Sequence, residues 1–262
     1  MRKTPAVFVV LALGGIALVG LPLVGLLTRA PWSRVWDAVS DPMALDALRL
    51  SAVVSIGATA IAVVLGVPLA WVLSRTSFPG RSAVRAIVVL PLVMPPVVGG
   101  IGLLAALGRR GVLGARLDAL GVSIPFTTLA AVIAAAFVSF PLLVLAVEAG
   151  LSSIDQRLER AALAMGGPPW YVLRRLTLPL IAPQLAAGTV LTWARALGEF
   201  GATITFAGNL RGVTQTLPLA VFEQGQTDPG GAVVVSLLLV ALSLAVLIAM
   251  RGRFLPSATA GR

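Results

Sequence analysis

Residues 128–147 read TLAAVIAAAFVSFPLLVLAV, and residues 148–180 continue as EAGLSSIDQRLERAALAMGGPPWYVLRRLTLPL. The first stretch carries no charge, and it matches the roughly 20 apolar residues that a helix needs to cross a bilayer. The second is polar and contains Ser153–Met165, which reads as a water-exposed amphipathic helix. An uncharged run of spanning length joined to a polar connector decides the fold class, because the same texture repeats along the chain.

Five further apolar runs cover Ala6–Leu27, Leu50–Leu73, Ala86–Leu107, Ile181–Phe206 and Gly231–Met250. With Thr128–Val147 they take up about half the chain. The expectation is an all-α polytopic membrane protein with six transmembrane helices, in a single domain over residues 1–262. Strands of a membrane barrel are about ten residues long and alternate in polarity, and nothing here alternates in that way. Arg2 and Lys3 before the first run resemble the start of a signal peptide. The run is longer than the roughly 7–15 residues of a signal core, and Thr28-Arg29-Ala30-Pro31 is a poor cleavage site, so a retained helix is expected.

Composition agrees. Hydrophobic residues make up 58% of the 262, charged residues 11%, and the mean hydropathy is +1.00. A soluble domain is about 25% charged. Cys and His are absent, which excludes disulfides, thiolate or imidazole metal sites, Cys nucleophiles and His-based triads. A membrane-embedded enzyme is disfavoured, because the few ionisable groups at membrane depth are Arg195 and Glu199, with Glu148 at a helix end, and no catalytic or metal-binding residue is expected. The formal charge of +10 sits between apolar runs, where it sets topology and faces anionic lipid headgroups rather than nucleic acid.

Orientation follows from Lys and Arg in alternate loops. With the N-terminus inside, the inner set is Arg2, Lys3, Arg75, Arg81, Arg85, Arg157, Arg160, Arg174, Arg175, Arg251, Arg253 and Arg262. The outer set is Arg29, Arg34, Arg49, Arg109, Arg110, Arg116 and Arg211. That is 12 against 7, so both termini are expected in the cytoplasm, although Gly108–Thr127 is basic for an outer loop. The location implied is the cytoplasmic (inner) membrane of a bacterium or archaeon.

The connector 148–180 is the most informative loop. Ala161 and Ala162 present a small face, the flexible Gly166 permits close backbone approach to another surface, and Pro168 and Pro169 stop the helix. Ala161-Ala162 is followed after three residues by Gly166, and nine residues later by Leu176-Thr177-Leu178-Pro179. This spacing resembles the EAA loop of importer-type ABC transporter permeases. The resemblance makes Glu159, Arg160, Ala161, Ala162, Gly166, Leu178 and Pro179 a loop that couples to an ATPase through a cytoplasmic coupling helix. The family's Glu falls on Arg160 here, with Glu159 one position earlier, so the charge contact is either altered or supplied by Glu159. Without the family, the same stretch is an amphipathic connector.

Other segments resemble molybdate permeases. They are Leu90–Gly100 (LPLVMPPVVGG), Ala194–Thr203 (ARALGEFGAT), Ala207-Gly208-Asn209 and Thr214–Leu219 (TQTLPL). Sulfate permeases carry a related Gly-Glu-aromatic-Gly segment but usually Ser where this chain has Ala202-Thr203. The resemblance implies molybdate import, with sulfate, thiosulfate or tungstate as alternatives within the family. It also implies a second copy of the chain, an external oxyanion-binding protein and a cytoplasmic ATPase dimer that binds ATP and Mg. The chain has no P-loop of its own and no cofactor is expected in it. An ATP-independent anion channel is the alternative outside the class, and it leaves the docking pattern of the connector without a purpose.

Arg195 and Glu199 stand four apart on the fifth run, so they share a helix face. They are either a structural ion pair or an element of the pathway or gate. Pro95-Pro96, followed by Gly99-Gly100, predicts a kink or discontinuity in the third run. A broken helix exposes N–H groups that suit an anion, while a packing kink needs no ligand. Pro141 is read as packing. Thr203, Thr205 and Asn209 are candidates to line the path. Gly57, Ala60 and Ala62, with Ala131 and Ala134–Ala136, permit close helix approach.

Overall fold

The computed structural model describes residues 5–254, and within them the chain is helical and connected by turns. Arg2, Lys3 and Arg262 of the charge count lie outside the described residues. The helices are α1 (Ala6–Arg29), α2 (Val35–Ser40), α3 (Pro42–Arg75), α4 (Arg81–Val93), α5 (Pro96–Leu107), α6 (Gly114–Ala119), α7 (Thr128–Ser153), α8 (Gln156–Ala164), α9 (Pro169–Val172), α10 (Leu178–Leu180), α11 (Ala182–Leu197), α12 (Gly201–Phe206), α13 (Leu217–Thr227) and α14 (Pro229–Phe254). A π-helical turn, Leu173–Thr177, joins α9 to α10.

Among the described residues, four helices are long and apolar enough to cross a membrane: α1, α3, α7 and the Pro229–Ile248 part of α14. A fifth crossing results if α9–α10 and α11, bent by 72° at Ile181, count as one broken span. The expected third run is not one helix. Met94 and Pro95 are extended, with ψ of 135° and 130°, so α4 ends at Val93 and α5 starts at Pro96. A residue before proline is pushed out of the helical region, and two consecutive prolines do this twice. The fifth run is also broken. Helix α11 ends at Leu197, and α12 starts at Gly201 after a turn through Gly198–Phe200.

The second run is longer than expected. Helix α3 has 34 residues and begins at Pro42 rather than Leu50. The Asp41 carboxylate accepts from Met43 N at 3.0 Å, and proline is favoured at a first helical position. Thr127 caps α7 in the same way, its Oγ1 accepting from Ala130 N at 3.2 Å. Pro141 lies inside α7 without ending it.

Helices α3, α7 and α11 form the centre, with α12 against α5 and α13 against α14. Lipid tails are as apolar as the side chains, so packing rather than water exclusion holds such helices together. Small residues make that packing close: Ala58, Ala62, Ala130, Ala131, Ala134 and Ala135 are all fully buried. Ala60, expected on the packed face, is exposed, because the α3–α7 contact follows the 54–58–62 stripe. A Cβ placed on Gly188 of α11 would lie 2.6 Å from Ala146 Cβ of α7. Helix α1 has no buried residue in the isolated chain.

Candidate functional site

The two ends of α3 and α7 carry different chemistry. At the connector end, α8 is capped by Asp155, which accepts from Arg157 N at 2.9 Å. Glu159 turns inward. Its Oε2 lies 2.8 Å from Arg75 Nε at the end of α3, and both side chains are largely buried. Its Oε1 accepts from Thr177 Oγ1 at 2.8 Å, and Arg75 Nη2 also donates to Leu151 O at 3.0 Å. The carboxylate thus ties α8 to α3 and to the π-helical turn, and the arginine it holds reaches on to the end of α7. Arg160 turns outward and, among the described residues, makes no ion pair. Ala161 is exposed and Ala162 half-buried.

Helix α8 ends with Gly166 at φ +87° and nothing within 4 Å of where its Cβ would be. Gly166 N donates to Leu163 O, and Gly167 N to Ala162 O. This is a left-handed C-cap, so Gly166 is required first by backbone conformation. Leu178 and Pro179 lie in α10 at the foot of α11. Above this loop, Trp71, Arg75, Arg160 and Leu163 help line a cavity of about 210 Å3.

Midway along the bundle, the two helix breaks meet. Gly201 at the start of α12 faces Pro96 at the start of α5, where an added Cβ would lie 3.0 Å from Pro96 Cβ. Gly100 packs against Ala202 and Thr205 just as tightly. Glu199 sits in the turn beyond α11 and not on it, yet its Oε2 is 2.8 Å from Arg195 Nη1. Its Oε1 accepts from Ala202 N at 2.7 Å, so the same carboxylate caps α12. Thr203 is fully buried, and Thr205 Oγ1 donates to Gly201 O.

At the far end, the loop between α12 and α13 folds over Glu223. Its carboxylate accepts from Asn209 Nδ2 at 2.8 Å, Arg211 Nη2 at 2.7 Å and Gln215 Nε2 at 2.5 Å. The bond from Arg211 holds the Glu223 carboxyl below the usual carboxylate range against the opposing effect of burial, with Asn209 and Gln215 adding to it.

Sequence reasoning paired Arg195 with Glu199 and singled out Glu159 and Asn209, but not the partners of those two. Arg75, Thr177, Glu223, Gln215 and the Arg85–Glu148 pair, 2.6 Å between α4 and α7, were not seen as functional. The available signal was Glu148, a lone carboxylate bordering an apolar run, which needs a cation once it is buried. Among the described residues no cluster of His, Cys, Asp or Glu is suited to a metal ion.

Comparison with known proteins places these features in context. The family described as "Binding-protein-dependent transport system inner membrane component" matches residues 42–258. The chain is 45% identical over 242 residues to the "Molybdenum transport system permease protein ModB" of Mycobacterium bovis, covering 92% of each chain. It is 32% identical over 231 residues to the "Probable sulfate transport system permease protein cysT" of Chlorokybus atmophyticus, covering 87% of this chain and 81% of that one. In structure it is similar to a chain of the bacterial alginate ABC transporter crystallised with an alginate-pentasaccharide-bound periplasmic protein. That match has a TM-score of 0.78 at 17% identity, over 95% of this chain and 93% of the other.

Proposed function

The chain belongs to the family of binding-protein-dependent transport system inner membrane components, and from that membership we infer that it is the membrane-spanning permease subunit of a molybdate importer. The observation that carries the substrate is the 45% identity across 92% of both chains with a molybdenum transport permease, against 32% with a sulfate one. The relatives are transport permease components rather than enzymes, and this chain has no P-loop. Sulfate, thiosulfate and tungstate remain the alternatives within the family.

The finer reading has six crossings, with α4–α5 and α10–α12 each serving as one broken span. Both termini and the connector end lie in the cytoplasm, where Arg75, Arg81, Arg85, Arg157, Arg160, Arg174 and Arg175 gather. The partners are a second copy of the chain, an external oxyanion-binding protein, and an ATPase dimer that holds ATP and Mg. Helix α8 is the coupling helix. Its outward face carries Arg157, Arg160, Ala161 and Ala164, and Glu159 fastens it to α3 and the foot of α11. A displacement of α8 by the ATPase is then passed to those helices as a rigid body. The breaks at Pro95 and Gly198 supply the points at which a pathway opens, because bonds lost there need not be broken again.

The test is ATP hydrolysis by the purified complex in lipid discs. Molybdate-loaded binding protein should stimulate hydrolysis, and Gly166→Trp should abolish stimulation while the chain still inserts. Stimulation unchanged in Gly166→Trp contradicts the coupling assignment.

A further inference from the structure

The loop over Glu223 has a shape that does not depend on Glu223. Val213 N, Thr214 N and Gln215 N all donate to Leu210 O. Thr214 Oγ1 accepts from Leu210 N at 2.9 Å and donates to Gly208 O. Thr128 Oγ1 at the start of α7 donates to Val213 O at 2.8 Å. Leu217 N donates to Ser51 Oγ of α3 at 2.7 Å. Gly208 and Gly212, at φ +75° and +71°, allow the two sharp turns. The backbone that carries Asn209, Arg211 and Gln215 is therefore held by bonds of its own, and Gln215 is only 2% exposed.

Three convergent donors, one cationic and two amide, are the chemistry that recognises an oxyanion. We propose that Asn209, Arg211 and Gln215 form an oxyanion-binding station, and that Glu223 occupies it as a built-in substitute for the anion. The proposal rests on the oxyanion-transport reading. Glu223 balances Arg211 while no external anion is bound, so the station itself holds no bare cation to trap anions. The Glu223 side chain is 34% exposed and Arg211 67%, which leaves the carboxylate a way out to solvent. A tetrahedral dianion offers the same acceptors with more charge and displaces it. The displaced carboxylate stays close on α13 and repels the bound ion, which keeps binding weak and release fast.

The experiment measures molybdate and sulfate binding to the full-length chain in detergent by titration calorimetry. Glu223→Ala should bind molybdate about tenfold more tightly than the unaltered chain, because an internal competitor lowers apparent affinity by the fraction of empty sites. Adding Arg211→Ala should remove the gain. Equal affinity for both ions in Glu223→Ala and the unaltered chain overturns the proposal, and so does a gain for either ion that survives Arg211→Ala. If Glu223→Ala does not stay folded, Glu223→Gln must show the gain, and no gain there overturns it. A gain for sulfate but not molybdate upholds the station and contradicts the molybdate reading. No gain for either ion, while the complete complex imports molybdate, overturns the station and leaves that reading standing.

Discussion

Glu159 accepts from Arg75 and Thr177 while its neighbour Arg160 faces solvent, so the two halves of the Glu-Arg dipeptide do different jobs. Glu159→Ala leaves Arg75 largely buried without its counter-charge. That is expected to cost about 2–3 kcal/mol, below the full value for a completely buried pair because both groups keep some solvent. Thermal unfolding of the purified chain should show the loss, and Glu159→Ala with Arg75→Leu together should lose less than the two singles added. Additive losses would show that the pair is not coupled. Glu199 has two partners, Arg195 and Ala202 N, so Glu199→Ala should impair uptake and stability more than Arg195→Ala. Glu199→Gln, which keeps an acceptor for Ala202 N, should fall between them, and equal effects of Glu199→Ala and Glu199→Gln would remove the capping role. The Arg195–Glu199 pair was legible in the sequence from its four-residue spacing, although the helix that spacing assumes ends at Leu197. The Arg75–Glu159 pair was not, since its members are 84 positions apart and only the packing of α8 under α3 brings them together.

At the scale of elements, the sequence and the structure part company where a signal is weak. Pro95-Pro96 forces the α4–α5 break, and that discontinuity is readable from residue type alone. Gly198 inside a long apolar run gives no such warning, because a lone glycine is tolerated in helices. There the break is fixed by the Glu199 cap and by α12 pressing on α5. The start of α3 was available as Asp41-Pro42, a cap followed by a first-turn proline, but hydropathy alone placed it eight residues too late. Close approach makes Gly188 the sharpest test of the α7–α11 contact. Gly188→Leu should destabilise the chain by about 1–3 kcal/mol through overpacking, read as a lowered unfolding temperature. Wild-type stability in that variant would mean that α11 does not lie so close to Ala146.

For the whole molecule, composition established a multi-pass membrane protein, while the number of crossings depended on how the broken helices are counted. The isolated chain buries nothing on α1, leaves apolar side chains along α3 and α5 exposed, and gathers seven arginines of its inner set at the connector end. Those features fit a subunit that works within a membrane and a larger assembly, and the family membership agrees. Which oxyanion it carries was the least legible property in physical terms. Molybdate and sulfate are both tetrahedral dianions, and a weakly binding path reads charge more than size. The substrate therefore came from resemblance around Gly198–Thr203 and Thr214–Leu219 rather than from any contact a residue type dictates. The most direct measurement is uptake into vesicles that hold the complete complex with ATP inside the ATPase compartment, offered molybdate, tungstate and sulfate at equal concentration. Molybdate uptake that requires ATP, competes with tungstate and is not matched by sulfate is the predicted result. Uptake of sulfate without uptake of molybdate would contradict the assignment.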